Sequence, residues 1–456
     1  MSAELSFPQT MALGTFTRWF EGRFPEEIPK WRTIGREAEY PIVRTNGWPI
    51  PIMQVWPLLM GDDLTVKKEG DLITALEGER YTYSSEVGWG TIEIITGPCD
   101  DLHQLRAIHE EAMARLVAAL EKLDACVLGY GIQPLTMLHP GLMMKKQRYG
   151  ALLEAIGRDW LTFALTASDQ VHVDIARSEI INMTNLGNLL APVTVALCAN
   201  SPIYTSLDSG FCSGREHIMG GIHAADGRHG MPNAPYTSVS DMLTQLARQP
   251  FLIQMKDGEA TPYNKPFLEF IDEATAAGMP SSELLGAFLY HEHYIWNSAR
   301  PRANQATVEF RAACQQPWPD HMAATALGLG IAEAGMKIHD FLFSFAVAPM
   351  APRVPPGVRQ PPDPVRVPWD HWSQLQAFHP KAVAYGLGAD EPITGMIQGV
   401  LQLCHDALVA RGRGEEVYLE PLWRRLEARE NPAQAIRRVF GTKGEIAMVD
   451  ALRVRL

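Results

Sequence analysis

The feature that most constrains this 456-residue chain is a set of strand-like segments in which charged or polar residues recur at every second position. In an extended strand, residues i and i+2 project from the same face. Glu37 and Glu39 therefore point together in IGREAEYPIV, Gln170, His172 and Asp174 in SDQVHVDI, and Glu309 and Arg311 in ATVEFRA. Glu86 and Glu93 sit on neighbouring stretches of SSEVGWGTIEI, where Gly88 and Gly90 suit a bulge that re-aims one side chain. Carboxylates gathered on one face repel one another and are costly to bury unless a cation lies among them. Magnesium meets that need, being a hard ion that takes oxygen ligands and bridges carboxylates to nucleotide phosphates. One imidazole, such as His172, can complete the site. A solvated strand face with ordinary polar residues has the same spacing, so spacing alone leaves both readings open.

Helical patterns separate these strands. Residues 101–124 carry apolar side chains at helical spacing behind an acidic start that suits a helix N-terminus. Helix is also expected over Phe16–Phe24, over Leu189–Cys198 as a buried element, and over 321–346. Extended chain is expected from Trp31, through Leu72–Ile95 with a break at GWG, in VLGYGIQP up to a turn, and over Ser168–Ile175 and Ala306–Ala312. Ser201–Pro235, rich in Gly, Ser, His and Pro, reads as an irregular substrate-binding loop. The Pro-rich run Ala348–Pro368 reads as an extended connector. The pattern predicts an α+β fold with helices packed on an antiparallel or mixed sheet. It divides the chain into a catalytic part (1–346), a connector (347–368) and a C-terminal helical extension packed on the catalytic part (369–456).

Composition narrows the function. A hydrophobic fraction of 46% with 20% charged residues is that of a globular chain. The formal net charge of -12 argues against broad nucleic-acid binding, which needs clustered Lys and Arg. No apolar run approaches the roughly 20 residues that span a bilayer, and MSAELSFPQT lacks a signal peptide's basic start and apolar core. A cytoplasmic enzyme acting on small molecules is the expectation. The six cysteines form no CxxC pair and read as buried thiols. GYGIQP lacks the Lys and Ser/Thr of a P-loop, and HEHY (His291–Tyr294) is expected to be structural.

In this order the segments resemble the glutamate–cysteine ligase family, most closely its plant and proteobacterial type. IGREAEYPIV is similar to the family's Gly-x-Glu-x-Glu strand, and EGDLITALEGERYTYSSEVGWGTIEIITGPCDDLHQL to its two-glutamate stretch with a Gly-rich turn and a Leu-His-Gln helix start. GYGIQP, QRY, DQVHVD, ALCANSP, SGREHIM and ATVEFR follow at family-like spacing, and the tail LVARGRGEEVYLEPLWRRLEARENPAQAI is similar to the closing helices. The resemblance covers nearly the whole chain. It implies a glutamine-synthetase-like core, an antiparallel sheet forming a funnel lined with metal-binding carboxylates. Carried over by position, Glu37, Glu39, Glu86, Glu93, His172 and Glu309 would hold magnesium. Arg311, with Gln170, would meet the nucleotide, and Arg215 of SGREHIM would hold substrate carboxylate. Arg300 or Arg302 would also face substrate. Four features depart from the plant pattern. Glu86 and Glu93 stand one residue further apart; position 172 is His where plant enzymes have Asn; ARPRANQATVEFR replaces an Arg-rich stretch; and the loop from Gly214 to Pro235 differs.

The resemblance implies an ATP-dependent ligase that passes the γ-phosphoryl group to the side-chain carboxylate of glutamate. The amine, cysteine in the family, then displaces phosphate. Such a reaction rests on positioning and charge stabilisation by metal and arginine. An acyl phosphate needs shelter from water, and Gly214–Pro235 is the candidate lid. The alternatives are a ligase of the same chemistry with another acceptor or donor, and a non-catalytic binding protein that kept the fold. Oligomeric state is not readable from the sequence.

Overall fold

The structure, a computed structural model, describes residues 4–222, 227–350, 372–388 and 391–456. Its centre is a nine-stranded sheet made of β1 (Ile34–Arg44), β2 (Thr65–Glu69), β3 (Leu72–Glu77), β4 (Tyr81–Ser85), β5 (Thr91–Cys99), β6 (Ala125–Val127), β7 (Ser168–Asp174), β8 (Ala299–Arg302) and β9 (Thr307–Cys314). The strand order is β8-β9-β7-β1-β5-β4-β3-β2, with β6 paired to the end of β1, and every pairing is antiparallel. This is the expected α+β architecture.

The alternation read from the sequence sorts the two faces of the sheet. On β1, Arg36, Ala38 and Tyr40 turn to one side and are fully buried. The Arg36 guanidinium donates to both carboxylate oxygens of Asp169 on β7 at 2.8 and 2.9 Å and to the His321 carbonyl at 2.8 Å. Tyr40 shares a 2.7 Å hydrogen bond with His109. Glu37 and Glu39 turn to the other side, where they stand opposite Gln170 of β7 and Glu93 of β5. On that same face Glu309 of β9 pairs with His172 of β7.

The helices discussed below are α1 (Phe7–Gly22), α2 (Leu102–Glu121), α3 (Gln147–Ile156), α4 (Ile180–Leu189), α5 (Ala191–Cys198), α6 (Gly214–Gly220), α7 (Ser281–His293), α8 (Ala323–Met350), α9 (Trp372–Tyr385), α10 (Glu391–Arg411), α11 (Glu420–Ala428) and α12 (Pro432–Leu452). Helix α2 begins as expected. Asp101 caps it by accepting from Gln104 N at 2.8 Å, and Leu105, Ile108, Ala112, Leu116 and Leu120 form the buried stripe.

Several boundaries moved for local reasons. Helix α1 starts at Phe7, ahead of the expected Phe16, because Ser6 and Gln9 form a capping box with Pro8 in the first turn. The expected helix Leu189–Cys198 is two helices broken at Leu190, where Pro192 restarts the chain. VLGYGIQP contributes only its first residue to β6 and is otherwise irregular. Residues 347–350, assigned to the connector, continue α8, while 351–371 lie outside the described residues. The C-terminal helices share one continuous hydrophobic core with the sheet, joining Leu401, Leu422 and Met448 to Ile34 and Tyr40. Arg425 of α11 donates to Gln316 at 2.7 Å, and Val454 donates to the Val127 carbonyl at 2.9 Å. No single described helix is long and apolar enough to cross a membrane, although the bent pair Arg177–Leu189 and Ala191–Cys198 passes by length and composition.

Candidate active site

The acidic face of the sheet forms the floor of a cavity of about 240 Å³. Carboxylate oxygens of Glu39, Glu86 and Glu93 lie within 4.8 Å of one another. Glu39 accepts from Ser168 N at 2.6 Å and from Gln170 Nε2 at 3.0 Å. Burial, reinforced by the charge of Glu86, pushes Glu39 up to about 8 against the pull of Arg215 and the Ser168 N–H. Burial and the three neighbouring glutamates hold Glu93 well above the usual carboxylate range, and burial also raises Glu86. Three such carboxylates hold ionised charge only with a cation between them. An all-oxygen donor set of this kind fits magnesium.

Glu37 and His172 form a second group. His172 Nε2 stands 3.2 Å from Glu37 Oε1, yet it is buried and makes no aligned hydrogen bond, while Nδ1 meets Thr307 Oγ1 at 3.1 Å. Burial opposes ionisation of Glu37, but His172 more than compensates and brings the carboxyl below its ordinary value. An unpartnered imidazole nitrogen beside a carboxylate suits a metal ligand.

Arginines occupy the opposite side. Glu309 accepts from Arg311 Nη1 at 2.7 Å and from Arg300 Nε at 2.9 Å, and Arg302 Nε lies 3.4 Å away. Burial would raise Glu309, yet the three guanidiniums hold it well below the usual range. In this structure Glu309 is thus neutralised by arginine rather than facing the other carboxylates. Arg300, Arg311 and Arg215 line the cavity, whereas Arg302 lines an adjoining chamber with Glu292 and Asn304. The buried Nε atoms of Arg215 and Arg311 make no hydrogen bond among the described residues. A buried donor left without a partner is a costly arrangement that an anion would relieve.

The third wall is aromatic. Tyr149, Trp160, Phe163, Tyr294 and Trp296 line the cavity, with Trp160–Phe163 centroids at 4.6 Å, Phe163–Trp296 at 4.8 Å and Trp160–Trp296 at 6.0 Å. Gly88 makes this wall possible: a Cβ there would lie 2.0 Å from the Ala164 carbonyl oxygen, so only glycine lets the ring-bearing segment Arg158–Leu165 meet the Glu86 loop. Lys146 and Arg148 complete the lining at the start of α3. Lys146 Nζ donates to the Ser85 carbonyl at 2.8 Å, and burial lowers its pKa against the pull of Glu86.

Of the eleven site residues expected from sequence, Glu37, Glu39, Glu86, Glu93, Gln170, Arg215, Arg300 and Arg311 line this cavity. His172 and Glu309 lie against its floor through Glu37 and Arg311, and Arg302 stands behind Glu309. Glu86 requires a correction: it belongs to the turn between β4 and β5, not to a bulged strand, because Ser85 pairs with Ile92 across a hairpin. HEHY also divides. His291 is a core residue whose Nε2 meets the Leu246 carbonyl at 2.8 Å, but His293 and Tyr294 line the cavity. Burial and the nearby arginines lower His293 to about 3. The aromatic wall, Lys146 and Arg148 were missed. QRY (147–149) was the available signal, since it stood out in sequence without a role.

Fold and site together define an antiparallel-sheet protein in which buried carboxylates face arginines across one cavity. The profile of glutamate-cysteine ligase family 2 (GCS2) matches residues 61–333, and the chain belongs to that family. The matched span includes Glu86, Glu93, Arg215, Glu309 and Arg311, whereas β1 and the helices after α8 fall outside it. Chloroplastic glutamate–cysteine ligase of Medicago truncatula is 31% identical over 201 residues, covering 41% of this chain and 39% of that protein. The Arabidopsis thaliana counterpart is 32% identical over 155 residues, covering 33% of this chain and 30% of that protein. A putative glutamate–cysteine ligase 2 of Thermobifida fusca is 28% identical over 142 residues, 31% of this chain and 35% of that protein. The chain thus aligns with less than half the length of these relatives. A crystal structure of glutamate–cysteine ligase from Francisella tularensis in complex with AMP superposes with a TM-score of 0.49 and 11% identity, covering 94% of this chain and 88% of that one.

Proposed function

We propose that this chain is an ATP- and magnesium-dependent ligase that joins the γ-carboxylate of glutamate to an amine, with cysteine the first candidate acceptor. The observation that carries the reading is the trio Glu39, Glu86 and Glu93, with carboxylate oxygens within 4.8 Å of one another on the floor of a cavity that arginines also line. Family membership supports the same reading. When bound, magnesium would supply charge neutralisation for the ATP phosphates, held by that trio and, in the second group, by Glu37 and His172.

The protein's own groups account for the rest of the chemistry. Two anions, a carboxylate and a triphosphate, must approach each other, and Arg311 and Arg300 offset the repulsion on the phosphoryl side. Arg215, which lines the cavity, is placed to grip the α-carboxylate of the donor, fixing which carboxylate reacts. The side-chain carboxylate takes the phosphoryl group, ADP leaves, and the amine displaces phosphate from the acyl phosphate. The ring wall excludes water that would hydrolyse that intermediate. The candidate lid Gly214–Pro235 supplies α6 and the strand residues His229 and Gly230, while residues 223–226 lie outside the described residues. The ring wall also favours a second reading of the acceptor, an amine with an apolar side chain larger than that of cysteine. We assign the reaction to the cytosol, a reading supported by six buried, unbridged cysteines.

The test is phosphate release from ATP with magnesium and glutamate against a panel of amines. Release with cysteine, abolished by Glu93→Gln and Glu309→Gln, supports the reading. Release with a bulkier amine keeps the mechanism and changes the acceptor. Absence of release with every amine removes the ligase assignment.

A further inference from the structure

Arg215 is held by a buried carboxylate that nothing in the proposed reaction uses. Glu216, only 3 % exposed, accepts from Arg215 Nη1 at 2.5 Å. Its other oxygen meets His229 Nε2 at 3.0 Å and lies 3.7 Å from His379 Nε2. His379 belongs to α9, beyond the span matched by the family profile. The same helix closes the start of α6: Cys212 N donates to the Ala384 carbonyl at 3.1 Å and Ser213 N to the Val383 carbonyl at 3.0 Å. Ser213 in turn caps α6 by accepting from Glu216 N at 3.3 Å, and Arg215 N donates to Ser201 Oγ at 3.0 Å. Backbone and side chain of Arg215 are therefore both fixed from outside the cavity.

We propose that Glu216 is a positioning residue for Arg215, and that His379 of α9, with His229, sets the orientation of Glu216, so that donor binding depends on the C-terminal helical segment. The inference rests on the reading of Arg215 as the grip on the donor carboxylate. A guanidinium has several staggered ways to lie against a cavity wall. One oxygen of Glu216 engages Nη1 and leaves Nε without a partner among the described residues, while His229 hydrogen-bonds the other oxygen and His379 stands 3.7 Å from it. Removing either histidine lets the carboxylate turn, and the arginine follows it.

The experiment compares wild type with Glu216→Gln, His379→Ala and His379→Gln, measuring KM for glutamate, KM for ATP, kcat and melting temperature. Glu216→Gln and His379→Ala should raise KM for glutamate by about tenfold or more while KM for ATP changes by less than about twofold, since misplaced positioning groups cost up to about a hundredfold. His379→Gln, which keeps an N–H donor on the side facing Glu216, should recover most of the loss. Equal changes in both KM values, or no rescue by His379→Gln, would mark a merely structural role and overturn the proposal. If Glu216→Gln does not fold, the His379 pair decides alone. If wild type releases no phosphate with any amine, the ligase reading fails by itself. Glutamate binding by calorimetry to wild type and His379→Ala then decides this inference, and equal affinity, or none for either, overturns it.

Discussion

Glu39→Gln should make the metal-free protein less sensitive to pH and less responsive to magnesium. In the folded protein Glu39 titrates at about 8, against an ordinary value of 4.5 in the unfolded chain, because burial and Glu86 oppose its charge. Between those pH values the folded state keeps a proton that the unfolded state has lost. The contribution is intact below pH 4.5 and is lost progressively as pH rises towards 8. At about 1.4 kcal/mol per pH step, the loss by pH 7 is about 3 kcal/mol. A chain of 456 residues unfolds with an entropy of about 1 kcal/mol/K, so the effect on melting is about 3 °C. Melting curves at pH 5 and pH 7 in chelator, then with magnesium at pH 7, measure it. Wild type should fall by about 3 °C more than the variant and recover with magnesium, whereas the variant should gain less from the metal. Parallel pH slopes, or equal gains with magnesium, would refute the reasoning that these carboxylates await a cation.

Arg36→Ala should destabilise the protein by about 3–5 kcal/mol in urea unfolding, since it strands buried Asp169 behind the catalytic face. Substrate KM values should barely change, because Arg36 faces away from the cavity. Glu309→Gln should cut phosphate release by about a hundredfold or more, leaving three arginines without their shared counter-charge. Trp160→Ala should cost about 3–5 kcal/mol and weaken binding of the acceptor more than of ATP, read from unfolding curves and the two KM values. Burial pushes Cys198 up to about 12 and Cys99 up to about 11, so a thiol reagent at pH 7.5 should titrate these cysteines only after denaturant is added.

The strand period was legible because it is local. Glu37 with Glu39, and Glu309 with Arg311, needed nothing beyond the two-residue repeat to be assigned to one face. The sharing of Glu309 among three arginines was not legible, since it depends on which strand β9 lies beside and on the return of β8 past it. The ring wall was harder still. Its members come from α3, from a tight helical turn at Arg158–Leu165, and from the chain just after α7, three segments with no common period. Glu216 was hidden for a related reason: the partners that define it, His229 and His379, are far apart in sequence and meet only when α9 docks. The helix boundaries that moved did so at caps and prolines, where one residue outweighs a weak apolar repeat.

The division of β1 between an arginine–tyrosine face and a glutamate face has a consequence for how such a chain can change over time. Because β5 and β7 grip β1 from both sides, the strand cannot slide alone. Insertion of a single residue ahead of Glu37 would exchange the faces, driving Glu37 and Glu39 into the apolar interior and turning Arg36 and Tyr40 towards the ligands. Descent can therefore edit this strand letter by letter, whereas an odd-length insertion keeps the faces only if a bulge absorbs it, as at the Ile34–Arg36 step against β5. Drift in length belongs in the turns, such as the one that carries Glu86 between β4 and β5.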